Sequence, residues 1–299
     1  RPVLHLPRGA RDPGGRLLTF VRPVMAPGRT RVRGIMAGVM TQQNQVSATV
    51  RYVALGDSFT EGVGDPALDA EVRRGWADLV ADGLAAHHGG IAYANLAIRG
   101  KLLEPIVTAQ IDQALALDPL PTIATLNGGG NDMMRPGMDA ATLIDLTEQG
   151  ARRLLDAGVQ PVLLAGADPS GGLPLRKVLH TRGSQLTVEV EKLARRLGVP
   201  FVNAFADDQV RAPEYWSEDR LHLNPHGHRR VANLVLDTLG VEHPEDPVLA
   251  PLRYHTTSHV RFARVHFAPW LGRRLTGRSS ADGRTGKHVG WTELAPAGR

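Results

Sequence analysis

Ser58 stands directly after Gly56 and Asp57, at the end of the short apolar run Arg51-Tyr-Val-Ala-Leu55. A sharp strand-to-helix turn at such a place exposes a hydroxyl and aims backbone N–H groups at the same point, which is what a serine nucleophile needs. The chain has no cysteine, so a thiolate nucleophile, thiolate metal sites and disulfides are excluded. A serine hydroxyl is inert at neutral pH without a base. His222, in Asp219-Arg-Leu-His222, is the best candidate, and Asp219 can hold its imidazole in the useful tautomer. For a developing oxyanion, Asn131 offers a side-chain N–H, while Gly100 and Ser58 offer backbone N–H groups unobstructed by bulky neighbours.

These residues lie far apart in the chain, so a fold must bring them together. From Arg51 onward, short apolar runs alternate with amphipathic segments. The periodicity predicts strands at 51–55, 91–95, 122–126, 160–165 and 200–203, and helices at 76–87, 102–117, 140–157, about 178–197 and 225–239. Strands alternating with helices of this length imply right-handed βαβ units and a mostly parallel five-stranded sheet covered on both faces. One α/β domain over 49–242 accommodates all of it. Ligands bind such sheets at the carboxyl ends of the strands. The loops 56–62, 96–100, 127–132 and 207–222 follow the first, second, third and fifth strands, and they hold every candidate residue named above. Leu102, Leu103, Met133, Met134 and the 205–218 stretch with Tyr215 and Trp216 are candidate walls, whose apolar character favours an acyl group over a bare sugar.

In this order and on this pattern the chain resembles the SGNH hydrolases, also called GDSL-type esterases and lipases. The blocks that carry the resemblance read Gly56-Asp57-Ser58, Gly100 in Asn95-Leu-Ala-Ile-Arg-Gly100, Gly129-Gly-Asn131-Asp132 and Asp219-Arg-Leu-His222, and together they span roughly 50–240. The resemblance implies a flavodoxin-like three-layer α/β/α sandwich. It further implies Ser58 as nucleophile, His222 as base, Asp219 as its partner, and Ser58, Gly100 and Asn131 as the oxyanion hole. Where the family often has Gly after the last-block Asp and Pro after its His, this chain has Arg220 and Leu223.

Each block also has a plainer reading. Gly-Asp-Ser alone is more often a turn or an N-cap, Asn131-Asp132 can form an Asx-turn with Asp132 in a scaffolding role, and Gly100 can simply supply a positive φ. The cluster His222, His226 and His228 invites a zinc reading. It lacks the glutamate of a zinc-protease motif, and Pro225 suggests a helix starting there, so no metal is expected. No Gly-Lys-Ser/Thr follows Gly128-Gly-Gly130, and no dinucleotide fingerprint opens the first helix, so no nucleotide cofactor is expected either.

The 299-residue chain carries a formal net charge of +5, which would ordinarily suggest a polyanionic partner. Counted by segment, residues 1–48 carry eight Arg against Asp12 (+7), and 253–299 carry nine Lys/Arg against Asp282 and Glu293 (+7). The remaining 18 cations against 27 acids leave the body at 18 − 27 = −9. The basic segments are rich in Gly, Pro and Arg. Residues 1–48 are expected to be mostly disordered, 243–299 mostly irregular, and His259 to Leu275 has apolar residues at near-helical spacing that could fold back over the domain. No secretory h-region and no run of 18 apolar residues occur, so neither export by a signal peptide nor a spanning helix is expected, and the expected location is the cytoplasm. The chain begins at Arg1 with Met25, Met36 and Met40 downstream, so 1–39 is read as a processed remnant or an over-long reading frame; an intact mass retaining Arg1 would refute this.

The best-supported function at this point is hydrolysis of a small-molecule carboxylic ester, with no specific nucleic-acid partner. Thioester, deacetylase and lysophospholipid substrates stay open, as does the oligomeric state. Two other classes also stay open: an acyl- or glycosyl-binding protein on the same scaffold, and a nucleic-acid or membrane-surface module working through the Arg261 to Arg278 region with its interleaved Phe262, Phe267 and Trp270.

Overall fold

A computed structural model of the chain describes residues 49–65, 74–137, 139–173, 175–248 and 283–296, with Arg261 and Arg264. The N-terminal extension lies outside the described residues, as do His259 to Leu275 and the Arg261 to Arg278 region apart from those two arginines. The element order is β1 (Arg51–Leu55), α1 (Ser58–Glu61), α2 (Trp76–His88), β2 (Ile91–Asn95), α3 (Leu103–Pro105), a π-helical segment (Ile106–Gln110), α4 (Ile111–Leu115), β3 (Ile123–Leu126), α5 (Gly130–Met133), α6 (Ala140–Asp156), β4 (Gln160–Ala165), α7 (Arg176–Leu197), β5 (Phe201–Asn203), α8 (Pro225–Leu239) and β6 (His288–Leu294).

The strands pair in the order β5-β4-β3-β1-β2-β6. β1 to β5 run parallel, and β6 joins β2 antiparallel. β1 explains the layering in miniature. Its side chains alternate between the two faces of the sheet, so Tyr52 and Ala54 pack with Trp76, Val80, Val231 and Val235 of α2 and α8. Val53 and Leu55 pack instead with Ile106, Ile111, Leu154 and Leu193 on the opposite side. A strand buried on both faces must be apolar throughout, which is why it reads as a continuous hydrophobic run.

The structure departs from the sequence expectation in three places. The sheet has six strands rather than five, because His288–Leu294, within the segment expected to be mostly irregular, adds an edge strand. Only three of its seven residues are apolar, Gly290 interrupts them, and its partner lies almost 200 residues away, so no local pattern announces it. Lys287 at its start forms an ion pair with Asp78 of α2. The helix expected over 102–117 is broken by the π segment. The single-turn helices α1 and α5 are too short for periodicity to detect. No helix among the described residues is long and apolar enough to cross a membrane.

The chain leaves β1 toward β2 on one side and leaves its other neighbour, β3, toward β4 on the opposite side. The loops after β1 and β3 therefore part at their carboxyl ends and leave a crevice. Ser58 and Asn131 lie on the short helices α1 and α5 into which those two loops lead.

Candidate active site

Asp57 caps α1, its Oδ1 accepting from the Phe59 N–H at 3.1 Å, which sets Ser58 at the first position of the helix. The preceding turn is held by Gln110, the last residue of the π segment. Its Oε1 accepts from the Gly56 N–H at 2.8 Å and its Nε2 donates to the Gly56 carbonyl at 2.9 Å. The π segment thus turns a buried amide toward the backbone of the turn that carries Ser58, a use consistent with the frequent placement of such segments at functional sites.

His222 comes from the loop between β5 and α8. Asn224 caps α8 by accepting from the N–H groups of His226 and Gly227 at 3.0 and 3.1 Å, and Pro225 opens the helix, so the loop is anchored two residues beyond His222. On the other side, Gly64 lies so close that a Cβ there would collide with the Leu223 carbonyl and sit 3.1 Å from the His222 Cβ. The result is a continuous relay. The His222 Nε2 lies 3.1 Å from the Ser58 Oγ, and the His222 Nδ1 lies 2.6 Å from the Asp219 Oδ2. Asp219 Oδ1 accepts from the Ser217 hydroxyl at 2.7 Å and from the N–H groups of Leu221 and His222, both at 3.0 Å. Burial works against its charge, but these hydrogen bonds and the neighbouring imidazole outweigh it and hold the carboxyl well below the usual carboxylate range. Asp219 is therefore ionised at neutral pH.

Ser58, Gly100, Asn131 and His222 line one cavity of about 410 Å³. Gly100 adopts φ 77°, a left-handed conformation that suits glycine. The Asn131 Nδ2 donates to the Asp57 Oδ2 at 3.0 Å and to the Lys101 carbonyl at 2.9 Å. The loop carrying Gly100 is tied to α1 by Glu61, which accepts from the Arg99 N–H at 2.6 Å and forms a half-buried ion pair with the Arg99 guanidinium.

All five candidate residues are thus brought to one place. Sequence reasoning assigned no role to Gln110, Glu61, Arg99 or the carboxylate of Asp57. Gln110 was detectable as a polar residue on the apolar face of an amphipathic stretch; the Glu61 and Arg99 pair carries no local signal. Of the candidate walls, Leu102, Met133, Met134 and Phe205 line the cavity, whereas Leu103 is core and Tyr215 and Trp216 are not among its lining residues. α7 supplies a wall that was not anticipated, including Leu179, Gly183 and Leu186. Asp132 accepts from the Leu103 N–H at 3.0 Å, in keeping with a scaffolding role.

The histidine cluster separates. His226 is exposed, while His228 is wholly buried, accepts from the Trp76 N–H at 3.2 Å and lies 3.2 Å from the Val63 carbonyl. Burial pushes it down to about 3, so it is neutral. Arg220, where the family often has Gly, adopts φ 55°, the left-handed conformation that glycine takes most readily.

Burial pushes the Asp57 carboxyl up to about 6, although the Phe59 N–H and the His222 ring favour its charged form. The folded chain then holds this proton more tightly than the unfolded chain, where the value is 3.8. The stability this group contributes is complete below about pH 4 and is lost as pH rises through about 6. Asp57→Asn keeps an acceptor and removes the charge. It should therefore raise stability relative to the parent at pH 8 more than at pH 4, by on the order of 2 kcal/mol. Thermal melts of both proteins at the two pH values check this, and an equal difference at both would contradict it.

The sequence matches the model of the GDSL-like lipase/acylhydrolase family over residues 54–230, a span containing Ser58, Gly100, Asn131, Asp219 and His222. Comparison with curated protein sequences finds no match. Among solved structures the fold is similar to that of TesA, with 23% identity, a TM-score of 0.52, and coverage of 63% of this chain and 97% of that one. It is also similar to the psychrotrophic esterase EstA from Pseudoalteromonas sp. (19% identity, TM-score 0.51, 64% of this chain and 96% of that one). A third is Axe2, an acetylxylan esterase from Geobacillus stearothermophilus (20% identity, TM-score 0.51, 64% and 95%). With its matched span covering more than half of its length and an α/β sheet flanked by helices, the chain belongs to the GDSL-like lipase/acylhydrolase, or SGNH, family.

Proposed function

We propose that the protein hydrolyses carboxylic esters through a covalent acyl-enzyme. The observation that carries this reading is the unbroken relay from the Ser58 hydroxyl through both ring nitrogens of His222 to an ionised Asp219. Ser58 Oγ attacks the ester carbonyl while its proton passes to His222 Nε2, and the imidazolium is stabilised by Asp219. The tetrahedral oxyanion is held by the N–H groups of Ser58 and Gly100 and by Asn131. In the free protein the Asn131 amide donates to Asp57 and to the Lys101 carbonyl, and the oxyanion would take the place of the Lys101 carbonyl as its second partner. Collapse expels the alcohol, which takes the proton from His222. Water then adds to the acyl carbonyl, gives a proton to His222, and the acid leaves as Ser58 recovers its hydrogen.

The family and the apolar lining of the cavity support an acyl substrate. EstA, a structural neighbour, is described as inhibited by monoethylphosphonate. A fluorophosphonate probe is the corresponding test here. Stoichiometric labelling that maps to Ser58, together with turnover of p-nitrophenyl acetate, is the expected result. A folded protein that resists labelling and hydrolyses no ester would instead be a binding scaffold. Asn131→Ala should lower kcat by about 10² to 10³, since one oxyanion donor contributes roughly 3–4 kcal/mol. KM should change little, because the interaction forms in the transition state; steady-state kinetics separate the two effects.

A further inference from the structure

The ester-hydrolase reading leaves two features without a role: a second histidine–aspartate pair, His180 with Asp168, and a glycine inside the long helix α7. Both converge on Phe205. Phe205 lines the same cavity as Ser58, and α7 meets its ring at both edge and face. A Cβ at Gly183 would collide with the ring edge, its Cζ lying only 2.9 Å away, so the absent side chain lets the ring lie against the helix. One turn earlier on the same helix, the His180 ring stacks on it at 5.5 Å and 26°. His180 is itself fixed, its Nδ1 lying 2.7 Å from the Oδ2 of buried Asp168, whose Oδ1 accepts from the Ser170 N–H at 3.0 Å. Arg211 adds a hydrogen bond to the Phe205 carbonyl at 3.4 Å. A ring held this way is a fixed wall.

The topology says what it is a wall of. Ser58 follows β1 and Phe205 follows β5, the edge strand on that side of the sheet, with β3 and β4 between. The cavity crosses those strand ends past Gly128 and Leu164, under Leu179 and Leu186 of α7. Three strand spacings amount to about 14 Å. We infer that Phe205, seated on α7 against Gly183 and under the His180–Asp168 pair, closes the far end of an apolar acyl slot that begins at Ser58 and suits a medium-length chain. An extended hydrocarbon advances roughly 1.3 Å per carbon, so a chain of about ten carbons reaches from the acyl carbonyl to the ring. This inference rests on the ester-hydrolase reading above and names the substrate class within it.

The test is an acyl-length series of p-nitrophenyl esters from acetate to palmitate, run with the parent, Phe205→Ala, Phe205→Leu and His180→Ala. For the parent, kcat/KM should rise to a maximum near eight to ten carbons and fall at least tenfold by palmitate. Phe205→Ala should move the maximum by four or more carbons toward longer chains. Phe205→Leu, the milder replacement, should shift it in the same direction by less. His180→Ala leaves the ring in place without its stack and should broaden the profile, reducing the preference for decanoate over palmitate severalfold. If the variants hydrolyse acetate at the parental rate and the profile does not move, the wall assignment is wrong while the esterase reading stands. If the parent hydrolyses no member of the series, both fall together.

Discussion

Ser58→Ala should lower kcat for p-nitrophenyl acetate by four or more orders of magnitude and leave the fold intact. Removing the nucleophile eliminates the covalent route, and what survives is the rate at which the oxyanion donors and the cavity help water attack directly. Stability should hardly change. Among the described residues the Ser58 hydroxyl makes a hydrogen bond to His222 alone, at 3.1 Å, and loss of one half-buried bond of this kind changes stability by about 1 kcal/mol or less. Steady-state kinetics beside a thermal melt check both halves. Retained esterase activity in a cleanly folded Ser58→Ala protein would remove Ser58 from the mechanism altogether.

Asp219→Asn should be nearly as damaging, with kcat reduced about 10³ to 10⁴-fold. The carboxylate now accepts from four donors, those of His222 Nδ1, the His222 and Leu221 N–H groups and the Ser217 hydroxyl. An amide has one acceptor oxygen. Three of the four donors sit on Oδ1, so that oxygen stays with them and the amide nitrogen turns to His222. An N–H facing Nδ1 forces the tautomer that carries its hydrogen on Nε2, and His222 then presents a proton to Ser58 instead of a lone pair. The double variant Ser58→Ala/Asp219→Asn should be no slower than Ser58→Ala alone, because Asp219 acts only through the relay. Additive losses in the double variant would show that Asp219 contributes by another route.

How much of this was legible beforehand varies with the range of the interaction. β1, β2 and β4 occur where the apolar runs place them, and α8 begins at Pro225 behind an Asn cap. These elements are specified by residues within a few positions of one another, through alternation, helical spacing and capping. β6 escaped because its pairing with β2 joins residues nearly 200 positions apart, and its own composition suits an exposed edge as well as a loop. The π segment escaped because its distinguishing feature is a long-range one, the grip of Gln110 on Gly56.

The same division runs through the site. The residue types and order of the five candidates are local facts, each motif being a short string, and the charge count likewise separates the basic segments from a body at −9 by arithmetic alone. Their identity and their candidate roles are therefore set by the sequence. The distances are not. A relay at 3.1 and 2.6 Å depends on Gly64 admitting the His222 loop, on Glu61 holding Arg99 beside Gly100, and on Gln110 bracing the turn that carries Ser58. The cavity walls depend on α7 crossing the strand ends with a glycine opposite Phe205. Each of these is a meeting of segments whose separation along the chain carries no trace of their proximity. Only the packed sheet and its two helical layers decide which side chains meet, because burial rewards the whole arrangement and not any one short string.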